Sequence, residues 1–184
     1  MKNDQRRLRT RAAVFACIAI AAIAIDQLTK VWALSALSDG RAVRVIPKLL
    51  SFTLVRNPGA SLGMGSGMTW LISLLAMVAC VALVALAVRT ISMKWTVVFA
   101  FGFAGAFGNL IDRVVYAQGF LNGKVVDFLN YGWSVGNVAD VFLMLAGIAA
   151  VLLLLFGEPY SRQDLDELEG SKESNGTVDG AKTA

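Results

Sequence analysis

Four stretches of this chain are long and uncharged enough to cross a membrane, and no other feature limits its fold so tightly. The second, third and fourth run from Met68 to Val88, Trp95 to Ile111 and Val141 to Gly157. The first is uncharged from Ala12 to Ile25, then passes through Asp26-Gln27-Leu28-Thr29-Lys30 into Val31-Trp32-Ala33-Leu34. Each is near the length that about 30 Å of hydrocarbon requires of a helix. Lipid offers no hydrogen-bond partners, so backbone that crosses it must satisfy itself, which an α-helix does within one segment. An all-α membrane protein with four transmembrane helices is therefore expected.

Composition agrees: 57% of the 184 residues are hydrophobic and 16% charged, too apolar for an ordinary soluble domain of this size. The formal charge of +4 does not point to nucleic acid, because the basic residues flank the apolar runs instead of gathering on one face with interleaved aromatics. The absence of histidine removes the commonest general base, the usual zinc ligand and the Ser-His and Cys-His nucleophile systems together. Acid-base chemistry must then fall to Asp, Glu, Lys or Tyr. Cys17 and Cys80 sit inside apolar runs and read as small buried side chains, not as a disulfide or a metal pair.

Residues 1–11 carry five basic residues, and Arg89 and Lys94 stand between the second and third spans; both regions are expected in the cytoplasm. Parity then puts both termini inside and segments of about 38–67 and 114–137 outside. Arg6, Arg7, Arg9 and Arg11 before a short apolar run also resemble a cleavable signal peptide, with small residues at Ala33-Leu34-Ser35-Ala36. Asp26 and Lys30 interrupt that run and three more spans follow, so residues 12–157 are read as one membrane unit with a retained first helix. In the outer segment, Val43-Arg44-Val45 and Ser51-Phe52-Thr53-Leu54 alternate apolar and polar residues, which predicts a small extracytoplasmic β-sheet. Residues 158–184 turn to Asp, Glu, Ser and Gly, and are expected to form a disordered, dispensable cytoplasmic tail.

An ionisable side chain in hydrocarbon costs about 2.5 to 3.5 kcal/mol on insertion scales, so each polar residue at a span needs a reason. Asp26 and Lys30 lie one helical turn apart and can pair; a self-neutralising structural pair and a direct substrate role are both open. Asn57-Pro58-Gly59-Ala60-Ser61-Leu62-Gly63-Met64-Gly65 is glycine-rich but lacks the Gly-Lys-Ser/Thr ending of a phosphate loop, which leaves a plain surface turn as the bland alternative. Gly102, Gly105 and Gly108, with Ala104 and Ala106, allow close helix approach. The third span ends in Gly108-Asn109-Leu110-Ile111-Asp112-Arg113, where Asn109 and Asp112 could hold the Arg113 guanidinium towards a site, the alternative being an interfacial cap with a snorkelling arginine. Asp127 lies in the apolar run Val125-Val126-Asp127-Phe128, expected to be extended. Asn137 and Asp140 share one face at the start of the fourth helix, where an acidic residue could equally be a cap.

Taken in order, Asp26-Gln27-Leu28-Thr29-Lys30, Asn57-Pro58-Gly59-Ala60, Gly108-Asn109-Leu110-Ile111-Asp112-Arg113, Val125-Val126-Asp127-Phe128 and Asn137-Val138-Ala139-Asp140 resemble the five motifs of the lipoprotein signal peptidases (signal peptidase II), over residues 12–157. The resemblance implies a four-helix membrane fold in the bacterial cytoplasmic (inner) membrane, with its active site at the outer surface. It implies an aspartyl endopeptidase that cleaves prolipoproteins before a diacylglyceryl-modified cysteine. By position in the motifs, Asp127 and Asp140 correspond to the catalytic pair. Asp26, Lys30, Asn57, Gly59, Asn109, Asp112, Arg113 and Asn137 correspond to positions that support the site or contact substrate. Prolipoproteins and membrane lipid are the implied partners, of a monomer. Ser61-Leu62-Gly63 and Trp133-Ser134-Val135-Gly136 depart from the family pattern in the loop and on the approach to the fourth helix.

Two carboxylates close together share one proton, so one can act as base while the other acts as acid, with no metal or cofactor. The rivals are a proton-coupled transporter and a non-enzymatic scaffold. Against the transporter, Asp26, Asp112 and Asp140 fall at the outer ends of their helices and the halves show no repeat. A scaffold gives no reason for aspartates and asparagines to gather at one surface.

Overall fold

The computed structural model describes residues 2–59, 66–167 and 170. Ser61-Leu62-Gly63, and with it most of the glycine-rich loop, lies outside them. The chain forms α1 (Lys2–Ala36), β1 (Val43–Ile46), β2 (Leu50–Asn57), a 3-10 turn (Ser66–Met68), α2 (Thr69–Arg89), α3 (Met93–Val115), β3 (Val125–Asn130), β4 (Val135–Gly136) and α4 (Val138–Leu155). Each expected span lies within one of the four helices, give or take a residue or two at the ends, and all four are long and apolar enough to cross a membrane.

Helix α3 is the axis of the bundle and packs against α1, α2 and α4. Of its most apolar window 61% is buried, against 17%, 17% and 11% for α1, α2 and α4, whose outer faces carry exposed residues such as Leu75, Val78, Val81, Val151 and Leu154. Apolar surface of that extent suits lipid and not water. The central position of α3 rests on its small residues. A Cβ on Gly105 would stand 2.5 Å from the Ala139 carbonyl oxygen of α4, and one on Gly108 would stand 2.6 Å from Asp26 Oδ2 of α1. Either would push a neighbouring helix away, as the glycine-alanine pattern predicts.

The sheet is antiparallel in the order β1-β2-β3-β4. The expected strands fall within β1 and β2, and the run around Asp127 becomes β3, which pairs with β2. Between Phe52, opposite Leu129, and Val55, opposite Asp127, β2 carries one more residue than β3. This bulge re-aims the strand so that Asn57, at its end, faces the site. The sheet is held on the end of α1 by a core of Ala33, Leu37 and Phe128, with Phe52, Leu54, Leu129 and Val138 packed around it. Trp32, Phe52 and Phe128 meet edge to face. Burying Phe128 there fixes the strand position of its neighbour Asp127.

At the far end of the bundle the structure corrects the expected start of the tail. Residues 158–167 are not loose: Tyr160 packs edge-on against Trp95 and Phe99, and its hydroxyl donates to the Leu86 carbonyl at 3.0 Å. Its own carbonyl accepts from the Ile91 N–H and the Thr90 hydroxyl, each at 3.0 Å. Glu158 accepts from Ser92 at 2.8 Å and pairs with Lys94 at 2.6 Å. The physical reason is one aromatic residue in a polar segment, with ring and hydroxyl both satisfied by the turn between α2 and α3. Truncation after Glu167 is therefore expected to leave thermal stability unchanged. Truncation after Pro159, which removes Tyr160, is expected to cost about 2 kcal/mol and lower the unfolding temperature by several degrees. Equal melting curves for the two truncated proteins, followed by intrinsic tryptophan fluorescence, would contradict the packing role of Tyr160.

Candidate active site

Asp127 on β3 and Asp140 in the first turn of α4 line one cavity of about 860 Å³, within the range of about 300–1,000 Å³ usual for ligand sites. Both carboxylates are held by amide donors. Asp127 accepts from Asn137 Nδ2 at 2.7 Å and from Asn57 Nδ2 at 2.9 Å. Asp140 accepts from Asn109 Nδ2 at 2.8 Å and from the Asn137 backbone N–H at 3.0 Å. The cap reading of Asp140 holds: Asn137 and Asp140 form a reciprocal capping box at the start of α4. One carboxylate oxygen serves the helix, and the other faces the amide of Asn109.

Each asparagine is turned so that its NH2 group meets a carboxylate, and in each case something else fixes the turn. The Asn57 side-chain oxygen accepts from the Gly59 N–H at 2.9 Å. That of Asn137 accepts from the Asp140 N–H at 3.0 Å. That of Asn109 accepts from Lys30 Nζ at 3.1 Å and from Asn137 Nδ2 at 2.9 Å. A flipped amide would lose these bonds and set an oxygen against a carboxylate.

Beneath this layer lies an ionic one. Lys30 pairs with Asp26, as its helical spacing predicts, at 2.9 Å, and also with Asp112 at 3.1 Å. Asp26, Lys30 and Asp112 expose 0%, 2% and 1% of their surface. Each of these two aspartates accepts from the backbone just before a site carboxylate. Asp26 Oδ1 takes the Ala139 N–H and Asp112 Oδ2 the Val126 N–H, both at 2.9 Å. Gln27 joins them, donating to Asp26 at 3.0 Å and to the Gly108 carbonyl at 3.2 Å.

One expected arrangement is different. Asp112 does not hold Arg113, because its carboxylate is taken by Lys30 and Val126. Arg113 instead donates through Nη2 to the Gly59 carbonyl at 2.8 Å and through Nη1 to the Asn109 carbonyl at 3.3 Å. It is buried, lines the cavity and acts on the charges of Asp127, Asp140 and Asp112. The snorkelling alternative fails. Arg113 also ties down Gly59, in the described part of the glycine-rich loop.

All ten residues singled out in the sequence therefore meet at one end of the bundle. Two contributors carried no sequence signal of their own. Tyr131, at the tip of the β3–β4 hairpin, lines the cavity; burial first, then the charges of Asp140 and Asp127, push its phenol up, so it stays a neutral donor. The opposite wall, with Ile72, Leu75 and Ala79 of α2 and Leu143 and Met144 of α4, is apolar and indistinguishable in sequence from any lipid-facing surface.

Burial raises the Asp127 carboxyl to about 6; the Asn57 and Asn137 donors oppose this and the charge of Asp140 adds to it. An acid in that range beside a second carboxylate is the arrangement for splitting acid and base roles across one site.

Residues 18–156 match the family model described as Signal peptidase (SPase) II. A protein of Bifidobacterium adolescentis named "Lipoprotein signal peptidase" is 82% identical over all of both chains. One of that name from Rhodococcus jostii is 40% identical, over 84% of this chain and 76% of its own. A solved bacterial membrane enzyme superposes with a TM-score of 0.70 at 31% identity, covering 78% of this chain and 88% of its own. On the breadth of the family match and the identity to these relatives, the chain belongs to the signal peptidase II family.

Proposed function

We propose that Asp127 and Asp140 are the catalytic pair with which this membrane endopeptidase removes signal peptides from prolipoproteins, cutting before the diacylglyceryl-modified cysteine. The observation that carries the assignment is that these two carboxylates share one cavity, each fixed by two N–H donors, while Asp26 and Asp112 are engaged by Lys30 and by backbone.

Asp127, the carboxyl raised by burial, takes the acid role and Asp140 the base role. A water between them attacks the scissile carbonyl carbon, its proton passes to Asp140, and Asp127 donates a proton to the carbonyl oxygen. As the tetrahedral intermediate collapses, one hydroxyl proton returns to Asp127, the C–N bond breaks and the leaving nitrogen takes the proton from Asp140. The signal peptide leaves with a new carboxyl group, and the lipoprotein begins at its lipidated cysteine. The apolar wall of α2 and α4 suits the hydrophobic part of the signal peptide. Asn57, Asn109 and Asn137 orient the carboxylates, Asp26, Lys30 and Asp112 hold their backbones, and Arg113 fixes Gly59. A single chain supplies all these groups, which supports action as a monomer.

The basic residues at one end and the sheet at the other support a placement in the cytoplasmic (inner) membrane, with residues 1–11 and 158–184 inside and segments 38–67 and 114–137 outside. A reporter fused after Gly157 is expected on the cytoplasmic side, and one inserted at Asn122 outside; the reverse pattern would overturn this topology.

Asp127→Asn and Asp140→Asn are each expected to lower kcat at least about a thousandfold, with the double variant no worse than either single one, because residues acting as a unit are not additive. The assay follows signal-peptide release from a diacylglyceryl-modified precursor, with helix content checked by circular dichroism. Substantial cleavage by either single variant would remove the pair from the mechanism.

The pH dependence follows from Asp127. With its pKa raised to about 6, the acid form persists up to that pH and is lost as pH rises through it. For the free enzyme kcat/KM should therefore fall with a midpoint near pH 6. The same limb in kcat should lie higher, because bound substrate displaces water and strengthens the effect of burial. A kcat/KM that still climbs between about pH 5 and about pH 7 would reverse the assigned roles.

A further inference from the structure

The end of the bundle away from the carboxylates holds a second cavity, of about 550 Å³, lined by Arg6, Arg7, Thr10, Arg11, Ile91 and Met93. A topology signal requires positive charge near the membrane, but not that three guanidinium groups converge on one space. Arg9 shows the difference: it lies off the lining face and serves that signal equally well.

Three features of the convergence are unfavourable without a ligand. Arg7 and Arg11 are one turn apart, so like charges face each other on α1. Arg6 lines the same space, so a third like charge adds to that repulsion. Arg11 donates only weakly through Nη1 to the Ile91 carbonyl, at 3.4 Å, and its Nε is buried with no acceptor among the described residues. Two carboxylates among the described residues at this end of the bundle are engaged elsewhere. Glu158 is engaged by Ser92 and Lys94, and Asp164 accepts from the N–H groups of Tyr160 and Ser161. An anion with several oxygens in the cavity would relieve all three, and guanidinium groups match phosphate in particular.

The depth of the cavity says where that phosphate comes from. Arg11 lies nineteen residues before Lys30 on one continuous helix, about 28 Å away, close to the thickness of the hydrocarbon core. With the Lys30 layer at one membrane surface, Arg11 stands at the headgroup level of the other, beside the interfacial aromatics Trp95 and Tyr160. The lining is basic on one side and apolar, through Ile91 and Met93, on the other. Tyr160 fixes that apolar wall by accepting from the Ile91 N–H.

We propose that this cavity binds the phosphate of an anionic phospholipid headgroup, with Arg6, Arg7 and Arg11 on the phosphate oxygens and Ile91 and Met93 against the first carbons of the lipid. The full-length protein in uncharged detergent is titrated with phosphatidylglycerol, with phosphatidylcholine of the same chains, or with inorganic phosphate. Retained lipid is counted by native mass spectrometry, and thermal unfolding is followed in parallel. Phosphatidylglycerol is expected to be retained as a single lipid and to raise the unfolding temperature, while phosphatidylcholine does neither. Arg11→Lys and Arg7→Lys keep the charge but lose the planar fork, and each should weaken retention roughly tenfold. Arg9→Lys should not. Peptidase activity in the uncharged detergent should be the same for all three variants and wild type, which shows that they fold. Equal retention of the two lipids would overturn the proposal. So would an equal loss in Arg9→Lys, the mark of diffuse attraction, or inorganic phosphate binding as tightly as the lipid, the mark of a soluble ligand.

Discussion

The ammonium group of Lys30 is buried between Asp26 and Asp112, and the rest of the site is arranged around that contact. Taking such ions out of water costs several kcal/mol each, which a salt bridge recovers only when the remaining lone pairs are also satisfied. Here they are. The remaining Asp26 oxygen reaches α4 at Ala139, and Asp112 reaches β3 at Val126. These are the residues immediately before Asp140 and Asp127. The ionic layer therefore fixes the distance between a strand and a helix that belong to different parts of the fold, and it does so through backbone, which cannot rotate away as a side chain can. Gly108 is part of the same arrangement, since only the absence of a Cβ lets Asp26 lie against α3.

Above that layer, the three asparagines translate a fixed backbone into fixed hydrogen bonds. Their value lies in having one donor end and one acceptor end. Lys30 takes the oxygen of Asn109, which leaves its NH2 for Asp140; Gly59 takes that of Asn57, which leaves its NH2 for Asp127. Asn137 serves both carboxylates, one through its side chain and the other through its backbone. A glutamine would have the same groups on a longer, looser stem, and a serine could orient only one bond. The arrangement thus holds both carboxylates still before substrate arrives, which removes a reorganisation that would otherwise add to the barrier.

Those parts of the fold that depend on short-range pattern are legible in the sequence. Uninterrupted apolar runs give helices because the bilayer permits little else, and spacing alone puts Lys30 on Asp26 and Asn137 on Asp140. What cannot be read off is pairing at long range. Nothing in Val125–Asn130 says that it joins β2, or that a bulge after Phe52 brings Asn57 to Asp127. The partner of Arg113 differs from the expected one for a related reason: Asp112 is adjacent in sequence, but Lys30 and Val126 reach its carboxylate from other elements, and the arginine turns to Gly59. Tyr160 shows the same limit at the other end, where a composition that reads as disordered hides a single aromatic residue with a place to pack. The motifs identify the members of the site; tertiary contacts decide which of them touch.

The charges at the site finally bear on how the proposed carboxylate pair divides one proton. Lys30 pairs with both Asp26 and Asp112, while the buried Arg113 acts first on Asp127 and Asp140 and then on Asp112. One guanidinium, itself bound to the Gly59 and Asn109 carbonyls, is then shared among Asp127, Asp140 and Asp112. A second negative charge on that pair would have to be carried in a cavity with one apolar wall, where Coulomb repulsion is screened far less than in water. Retaining one proton is the lower-energy state, and burial determines that Asp127, set in the strand beside Phe128 and Val126, is the carboxyl raised to about 6. Asp140 has one oxygen on the Asn137 N–H, in the capping box that opens α4. The same features that make each aspartate part of the fold, strand burial for one and helix capping for the other, give the two the different surroundings on which the proposed acid and base roles rest.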